Sequence, residues 1–259
     1  MGYLSAIMSI GGITSPIIGG SLAALAWNYP FLFYLLNLPL ALFAWLWLPS
    51  VKGEAKSLKQ YLQPFAQSFK DLRVLAVLLS GYLTFFLLYA VVTYLPFILT
   101  SDPYGFSTSV AGIFLGVQGI SIAIISVNAD KLEKYISPTK LIFTGFLLHA
   151  LSIIWLPYEL SLPPMFILLF VFGVGRGLVM PQINTLIVTF APEKGIGGLV
   201  AVFNTMRFIG MGTSPIVLGL IRSYTNLRGV FIFSALLAFL AFIIGLLAQI
   251  YSKSNKHAK

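Results

Sequence analysis

The chain has 259 residues, of which 58% are hydrophobic and only 9% are charged, and its mean hydropathy is +0.94. A water-soluble globule of this length needs more polar surface than such a composition supplies. The composition therefore excludes a soluble globular domain and predicts a protein that crosses a lipid bilayer several times.

The net charge is +9, but the basic residues are spread over separate loops. This distribution argues against a single basic surface that binds nucleic acid. Lysine and arginine concentrate in alternate loops and at the C-terminus, whereas the loops between carry few charges. Because basic residues mark cytoplasmic loops, we expect both termini in the cytoplasm of a multi-pass protein of the plasma membrane. The expected partner is the lipid bilayer, without nucleic acid.

Eight apolar stretches are each long enough for a helix to cross a hydrocarbon core of about 30 Å. Their pattern lacks the alternation of barrel strands, so the predicted fold class is all-α. The longest polar interruption, residues 50–71, separates residues 1–49 from residues 72–259, and its own apolar stripe predicts a cytoplasmic amphipathic linker helix. The eight stretches are roughly 2–27, 30–48, 72–99, 108–128, 140–157, 164–190, 199–221 and 228–251.

The first stretch contains small residues at helical spacing and a proline, in the run GYLSAIMSIGGITSPIIGG. Small side chains allow the backbone of another membrane helix to approach closely, and a proline kinks the helix that contains it. We predict a helix-packing and gating role for Gly2, Gly11, Ser15, Pro16, Gly19 and Gly20. The run resembles the fifth-helix signature of major facilitator superfamily (MFS) exporters, Gly-x8-Gly-x3-Gly-Pro-x2-Gly-Gly, with Ser15 in place of one glycine.

Three further segments resemble the same family in the same order. Trp27 to Phe31 is similar to the Trp-Arg-x-x-Phe start of the sixth helix, with Asn28 in place of the arginine. Leu95-Pro96 followed by residues 105–112 resembles the junction of the seventh and eighth helices. Residues 128–134 look like a degenerate Asp-Arg-x-Gly-Arg loop, in which we interpret Asp130 as part of the gate.

An internal repeat relates the two ends of the chain. Pro16 and Pro215 are both preceded by serine, and Ser214 and Pro215 are therefore included among the packing residues. MFS transporters contain two halves of six helices each. The resemblance thus implies helices five to twelve: the last two helices of an N-terminal bundle and a complete six-helix C-terminal bundle, without the first four helices.

The resemblance to the drug-exporter branch implies secondary transport of a small amphipathic or organic-anion substrate by alternating access. Proton coupling is an expectation from the resemblance alone. We expect the chain to be an N-terminally truncated or split form that needs a separate chain, or a second copy, to supply the missing four helices. The alternative is a non-transporting membrane binding or scaffold protein, or an inactive remnant of a transporter.

Catalytic chemistry is not predicted. All seven acidic residues lie in loops or at helix ends, and the chain has neither a cysteine nor a Walker phosphate-binding loop. His149 has no neighbour in sequence that completes a metal site. We therefore predict that the protein is not an enzyme and that it requires no metal or cofactor.

Two arginines, Arg176 and Arg207, fall near the middle of predicted spans, where a charge costs at least about 2.5 kcal/mol and should face a cavity or a partner. They form either an anion-attracting or proton-linked site in the central pathway, or structural bonds to freed backbone carbonyls, or they lie at the interface between the two halves. Other polar and aromatic residues at helical spacing line either the substrate pathway or interhelical contacts. These candidates are Tyr82, Phe86, Tyr89, Thr93, Gln118 and Asn204.

Overall fold

The computed structural model describes residues 2–49, 71–158, 161–191 and 195–257, and these ranges contain helices and no strands. The all-α prediction is therefore confirmed. The predicted linker helix, except for Asp71, lies outside the described residues. The helices are α1 (Gly2–Leu25), α2 (Tyr29–Leu32), α3 (Asn37–Trp47), α4 (Leu72–Thr100), α5 (Thr108–Val127), α6 (Ala129–Glu133), α7 (Pro138–Trp155), α8 (Leu162–Thr189), α9 (Ile196–Tyr224) and α10 (Leu227–His257).

Each of the eight predicted stretches is helical, but they differ in apolar character. Six described segments are long and apolar enough to cross a membrane: Tyr29–Trp47, Leu72–Thr100, Thr108–Val127, Pro138–Trp155, Leu162–Thr189 and Leu227–Leu247. Within α1 the described apolar segment is shorter, Ile10–Leu25. The 29-residue helix α9 is long enough to cross, but Asn204, Arg207 and several glycines reduce its hydropathy.

Local sequence explains where the helices begin. The Asp71 carboxylate accepts a hydrogen bond from the backbone N–H of Arg73 at 2.8 Å and caps α4. The Arg73 guanidinium hydrogen-bonds the same carboxylate and thereby lowers the pKa of Asp71. The Ser107 hydroxyl caps α5 by accepting from the N–H of Val110, and Pro138 occupies the first turn of α7.

The second predicted span is not one regular α-helix. It consists of α2, a short 3₁₀ segment (Phe33–Leu36) and α3. None of the side chains in these three segments is buried, and Trp45 is 80% exposed. This part of the chain therefore presents its apolar surface outward from the described fold.

Close packing is found among the remaining long helices. Helix α1 packs along α5, α5 along α8, α8 along α7, α7 along α10, and α4 along α9. The core shared by α4, α5 and α7 to α10 is formed mainly by phenylalanine, leucine and valine side chains, including Phe86, Phe114, Phe146, Phe172, Phe203 and Phe231. The helices that carry the candidate site residues are thus held next to one another by van der Waals contact.

Candidate functional site

Two of the predicted site residues meet on a phenylalanine that the sequence analysis did not select. The guanidinium carbon of Arg176, on α8, lies 4.9 Å from the centroid of the Phe85 ring on α4. The guanidinium carbon of Arg207, on α9, lies 4.3 Å from the same centroid. The Phe85 ring, only 2% exposed, therefore brings two cations from different helices to one place.

Arg207 has further contacts. Its Nη1 donates a hydrogen bond to Oδ1 of Asn204 at 3.0 Å, and its guanidinium carbon lies 5.6 Å from the Phe203 ring. Its Nε is buried and has no hydrogen-bond partner among the described residues. Asn204 and Arg207, separated by one helical turn, thus act as a pair on α9, and the guanidinium keeps unused hydrogen-bonding capacity.

No carboxylate neutralises the two arginines within the described ranges, where the only ion pair joins Asp71 and Arg73. A cation at mid-membrane costs about 2.5–3.5 kcal/mol on insertion scales, and a cation–π contact returns about 0.5–2 kcal/mol. The Phe85 ring and the Asn204 amide therefore offset part of the cost. We call Phe85, Arg176, Asn204 and Arg207 the arginine cluster; it is a concentration of positive charge that can attract an anion.

The residues of the predicted aromatic face of α4 lie in two different environments. The hydroxyl of Tyr82 lies 3.0 Å from Oγ1 of Thr213 on α9, and Phe86 is buried with its carbonyl accepting a hydrogen bond from Ser214 Oγ. Tyr89 and Thr93 are half-buried. The structure therefore places Tyr82 and Phe86 at the contact between α4 and α9, whereas the neighbouring Phe85 meets the arginines.

Gln118 lies at a different contact. It is 5% exposed on α5, and its backbone approaches Gly173 on α8 so closely that a Cβ at Gly173 would collide with the Gln118 carbonyl. The side-chain oxygens of Gln118 and of Gln182 on α8 are buried without hydrogen-bond partners among the described residues. Gln182 was not among the predicted site residues, because the sequence gives no sign of its burial.

His149 packs between aromatic rings. It is fully buried on α7, and its ring centroid lies 4.7 Å from that of Phe172 and 5.9 Å from that of Phe146. Neither ring nitrogen has a hydrogen-bond partner in the described part of the chain. Nowhere in the described ranges do three or more His, Cys, Asp or Glu side chains come together in a group that could hold a metal ion.

The predicted packing residues of α1 fall on different sides of that helix. Gly20 lies against α5, where Thr108 Oγ1 donates to its carbonyl at 3.0 Å, and a Cβ at Gly112 would collide with the Pro16 carbonyl. Gly11 and Gly19 have open space where a Cβ would be, and Ser15 is exposed. For Gly2 the structure gives only its place at the start of α1.

The repeat-related residues on α9 lie against α4. Ser214 Oγ donates to the Phe86 carbonyl at 2.8 Å, and the Tyr94 hydroxyl donates to the Pro215 carbonyl at 3.1 Å. A Cβ at Gly210 would collide with the Tyr82 carbonyl. The Asp130 side chain, assigned to the gate from the sequence, is outside the described residues.

A second pair of arginines occurs at one end of the bundle. Arg222 lies over the Phe97 ring at 4.7 Å, and Arg228 lies over the Tyr158 ring at 5.5 Å. Both border a cavity of about 490 Å³ formed by the loops after α4, α7 and α9. These arginines are exposed, in contrast to the half-buried Arg176 and Arg207.

A family model described as Major Facilitator Superfamily matches residues 1–215 and, in a second match, residues 140–259. The chain belongs to the major facilitator superfamily, which confirms the resemblance first seen in the Gly- and Pro-rich first helix.

Similar proteins include named exporters. The chain is 28% identical over 267 residues to the bacillibactin exporter of Bacillus subtilis (strain 168), covering 99% of this chain and 65% of that protein. It is 24% identical over 251 residues to the multidrug efflux protein YfmO of the same strain, covering 94% and 60%. A shorter match, 25% over 126 residues, is with the multidrug resistance protein MdtG of Escherichia coli (strain K12 / DH10B). The chain thus spans less than two thirds of the length of the two Bacillus relatives.

Proposed function

We propose that the chain functions in secondary transport, moving a small amphipathic or organic-anion substrate across the plasma membrane by the alternating access of its family. The observation that carries the proposal is the match to an exporter along 99% of the chain. Family membership and the apolar spans support the same function. In this proposal residues 1–49 belong to one bundle, residues 50–71 form the cytoplasmic linker and residues 72–259 form the other bundle.

The substrate pathway in this proposal passes the arginine cluster. Tyr89, Arg176, Asn204 and Arg207 are half-buried, so they retain access from outside the apolar core. Polar and charged groups are costly in a membrane bundle and concentrate where a substrate passes. The convergence of α4, α8 and α9 on Phe85 supports a pathway bordered by these three helices.

The proposal includes a partner and an orientation. Alternating access requires two bundles that rock about a central site. We propose that helices equivalent to the unmatched part of the longer relatives, from a separate chain or a second copy, complete the first bundle. The distribution of lysine and arginine among the loops supports cytoplasmic termini.

Reconstitution into liposomes tests the proposal. The purified chain, and the chain joined to the part of the bacillibactin exporter that lies outside the match, are assayed for movement of radiolabelled benzoate and tetraphenylphosphonium under a proton gradient, each measured above its passive movement into protein-free liposomes. We expect no transport by the 259-residue chain alone and transport of at least one probe by the joined protein. The proposal is contradicted if the joined protein is monodisperse and correctly inserted and yet moves neither probe.

A further inference from the structure

The arginine cluster contains two positive charges and lacks a carboxylate among the described residues. Every acidic residue of the chain lies outside the apolar interior of the predicted spans. A cationic substrate would be repelled from this position, and a neutral substrate would leave the guanidinium groups unpaired. An anion supplies the missing opposite charge.

The aromatic and amide contacts limit how the guanidinium groups can rearrange. Both lie against the single buried ring of Phe85, and Arg207 is also fixed by Asn204 at 3.0 Å. Arg176 has no hydrogen bond to any described residue, and the Nε of Arg207 is likewise unpartnered. Guanidinium groups held in this way are prepared to donate parallel hydrogen bonds to a carboxylate, phosphate or sulfonate group.

We propose that Arg176 and Arg207, positioned by Phe85, bind the oxyanion group of a small organic anion, so that the protein selects anionic over neutral and cationic molecules. The inference rests on the proposed transport function, because it specifies the substrate class of the same pathway. Phe85 is a positioning residue, since it fixes the two arginines rather than supplying charge. Asn204 orients Arg207 in the same way.

Equilibrium dialysis of the purified chain in phosphatidylcholine nanodiscs tests this site. Radiolabelled benzoate and benzamide are the probes, because they have the same shape and differ in charge. We expect saturable benzoate binding that is at least about tenfold tighter than benzamide binding. Absent benzoate binding, or equal affinity for the two probes, would overturn the proposal.

Variants locate the binding to the arginine cluster. Arg176→Gln and Arg207→Gln should each weaken benzoate binding by about tenfold and leave benzamide binding unchanged. Arg222→Gln is the matched control, because Arg222 also lies over a phenylalanine but at the exposed end of the bundle. If both glutamine variants bind benzoate as the unmodified chain does, the arginines are not the binding groups.

Two further measurements are needed, one for the case in which a glutamine variant does not fold and one to identify the anion that occupies the site. If a glutamine variant does not fold, Arg176→Lys and Arg207→Lys replace it; each should weaken benzoate binding while preserving the preference over benzamide, because lysine keeps the charge without the planar fork. Unchanged affinity in both lysine variants contradicts the proposal. Adding phosphatidylglycerol distinguishes a lipid phosphate from a free anion as the occupant: the negative surface potential lowers benzoate affinity equally in the unmodified chain and in Arg176→Gln, whereas an occupying headgroup causes a further loss in the unmodified chain alone, and that further loss would overturn a free small anion as the occupant.

The binding assay separates this inference from the proposed function, because it needs neither a gradient nor a second bundle. Benzoate binding that depends on Arg176 and Arg207, together with absent transport by the joined protein, overturns transport alone. Transport of tetraphenylphosphonium without any benzoate binding overturns anion selectivity alone.

Discussion

Two helices with the same Ser-Pro sequence pack in different ways. Helix α1 meets α5 through backbone-to-backbone contact, where Gly20 lies against Gly112; the hydrogen bonds that cross the contact among the described side chains, from Thr108 at 3.0 Å and Ser109 at 3.5 Å, both end on the Gly20 carbonyl. Helix α9 meets α4 with an equally close glycine, Gly210. Three side-chain hydrogen bonds add to that second contact, from Tyr94 and Ser214 and between Tyr82 and Thr213.

The difference shows how one repeated motif serves two purposes. Small residues alone bring membrane helices together by van der Waals contact, which allows small displacements along the surface. Interhelical hydrogen bonds fix the register and rotation of the pair. We infer that the contact of α9 with α4 is the more rigid of the two, and that the contact of α1 with α5 is where the described fold adjusts more easily.

Alanine at Gly210 should give the largest loss of stability. Its Cβ would meet the backbone of Tyr82, and the hydrogen-bonded α9 cannot shift without breaking other contacts. Overpacking of this kind costs about 1–3 kcal/mol. Unfolding in dodecyl sulfate, followed by circular dichroism, measures the change. Gly212→Ala is the control, because a Cβ at Gly212 has open space.

Alanine at Gly112 should be less costly, because α1 can move away from α5. The collision is again with backbone, here the Pro16 carbonyl, so we expect a loss of about 1 kcal/mol, at the lower end of the overpacking range. The chain has no cysteine, so Ile17→Cys with Gly116→Cys reports the separation directly, because a Cβ at Gly116 meets mainly the Ile17 side chain that is replaced, and cross-linking should fall when Gly112→Ala is added. A greater stability loss than that of Gly210→Ala would contradict the inferred difference in rigidity.

Ser214→Ala removes a buried hydrogen bond from the more rigid contact. Interhelical hydrogen bonds in membranes contribute about 0.6 kcal/mol on average and up to about 1.7 kcal/mol. We expect a loss near the average in the same dodecyl sulfate titration, because the Phe86 carbonyl keeps its place in α4. Ser223→Ala is the comparison, since Ser223 is exposed and bonds within its own helix.

Thr108→Val should have the smallest effect. It removes the hydroxyl that donates to the Gly20 carbonyl at an exposed position and preserves the side-chain shape. We expect a change below about 0.5 kcal/mol, together with a measurable decrease in Ile17–Gly116 cysteine cross-linking. A loss as large as that of Ser214→Ala would mean that the α1 contact is also held mainly by hydrogen bonding.

The sequence predicts the helical fold and the family because both depend on patterns along the chain. Apolar stretches of membrane length identify the helices, and the glycine- and proline-containing first stretch identifies the superfamily. The sequence does not predict the rotation of each helix about its own axis, because that rotation depends on which helix packs beside it. Gly11, Gly19 and Gly20 share one sequence pattern, yet only Gly20 has a neighbouring helix where its Cβ would be.

The arginine cluster also shows that the sequence identifies a residue of interest but not the residue that contacts it. Arg176 and Arg207 stand out in the sequence because charge in an apolar span demands a partner. The partner ring is Phe85, whereas the helical spacing that selected Tyr82 and Phe86 identified the face that packs on α9. Spacing along one helix cannot decide between Phe85 and Phe86, because that choice requires the positions of α8 and α9.

The first turn of α4 contacts the end of a second long helix. Asp71 caps α4 and pairs with Arg73 at 2.7 Å, while the Arg73 guanidinium lies over the Phe190 ring, just after α8, at 5.1 Å. Because Arg73 lowers the pKa of the Asp71 carboxyl, that carboxylate stays charged as the pH falls toward its usual titration range. The contact of Arg73 with Phe190 thus joins the first turn of α4 to the end of α8, the two helices that carry Phe85 and Arg176.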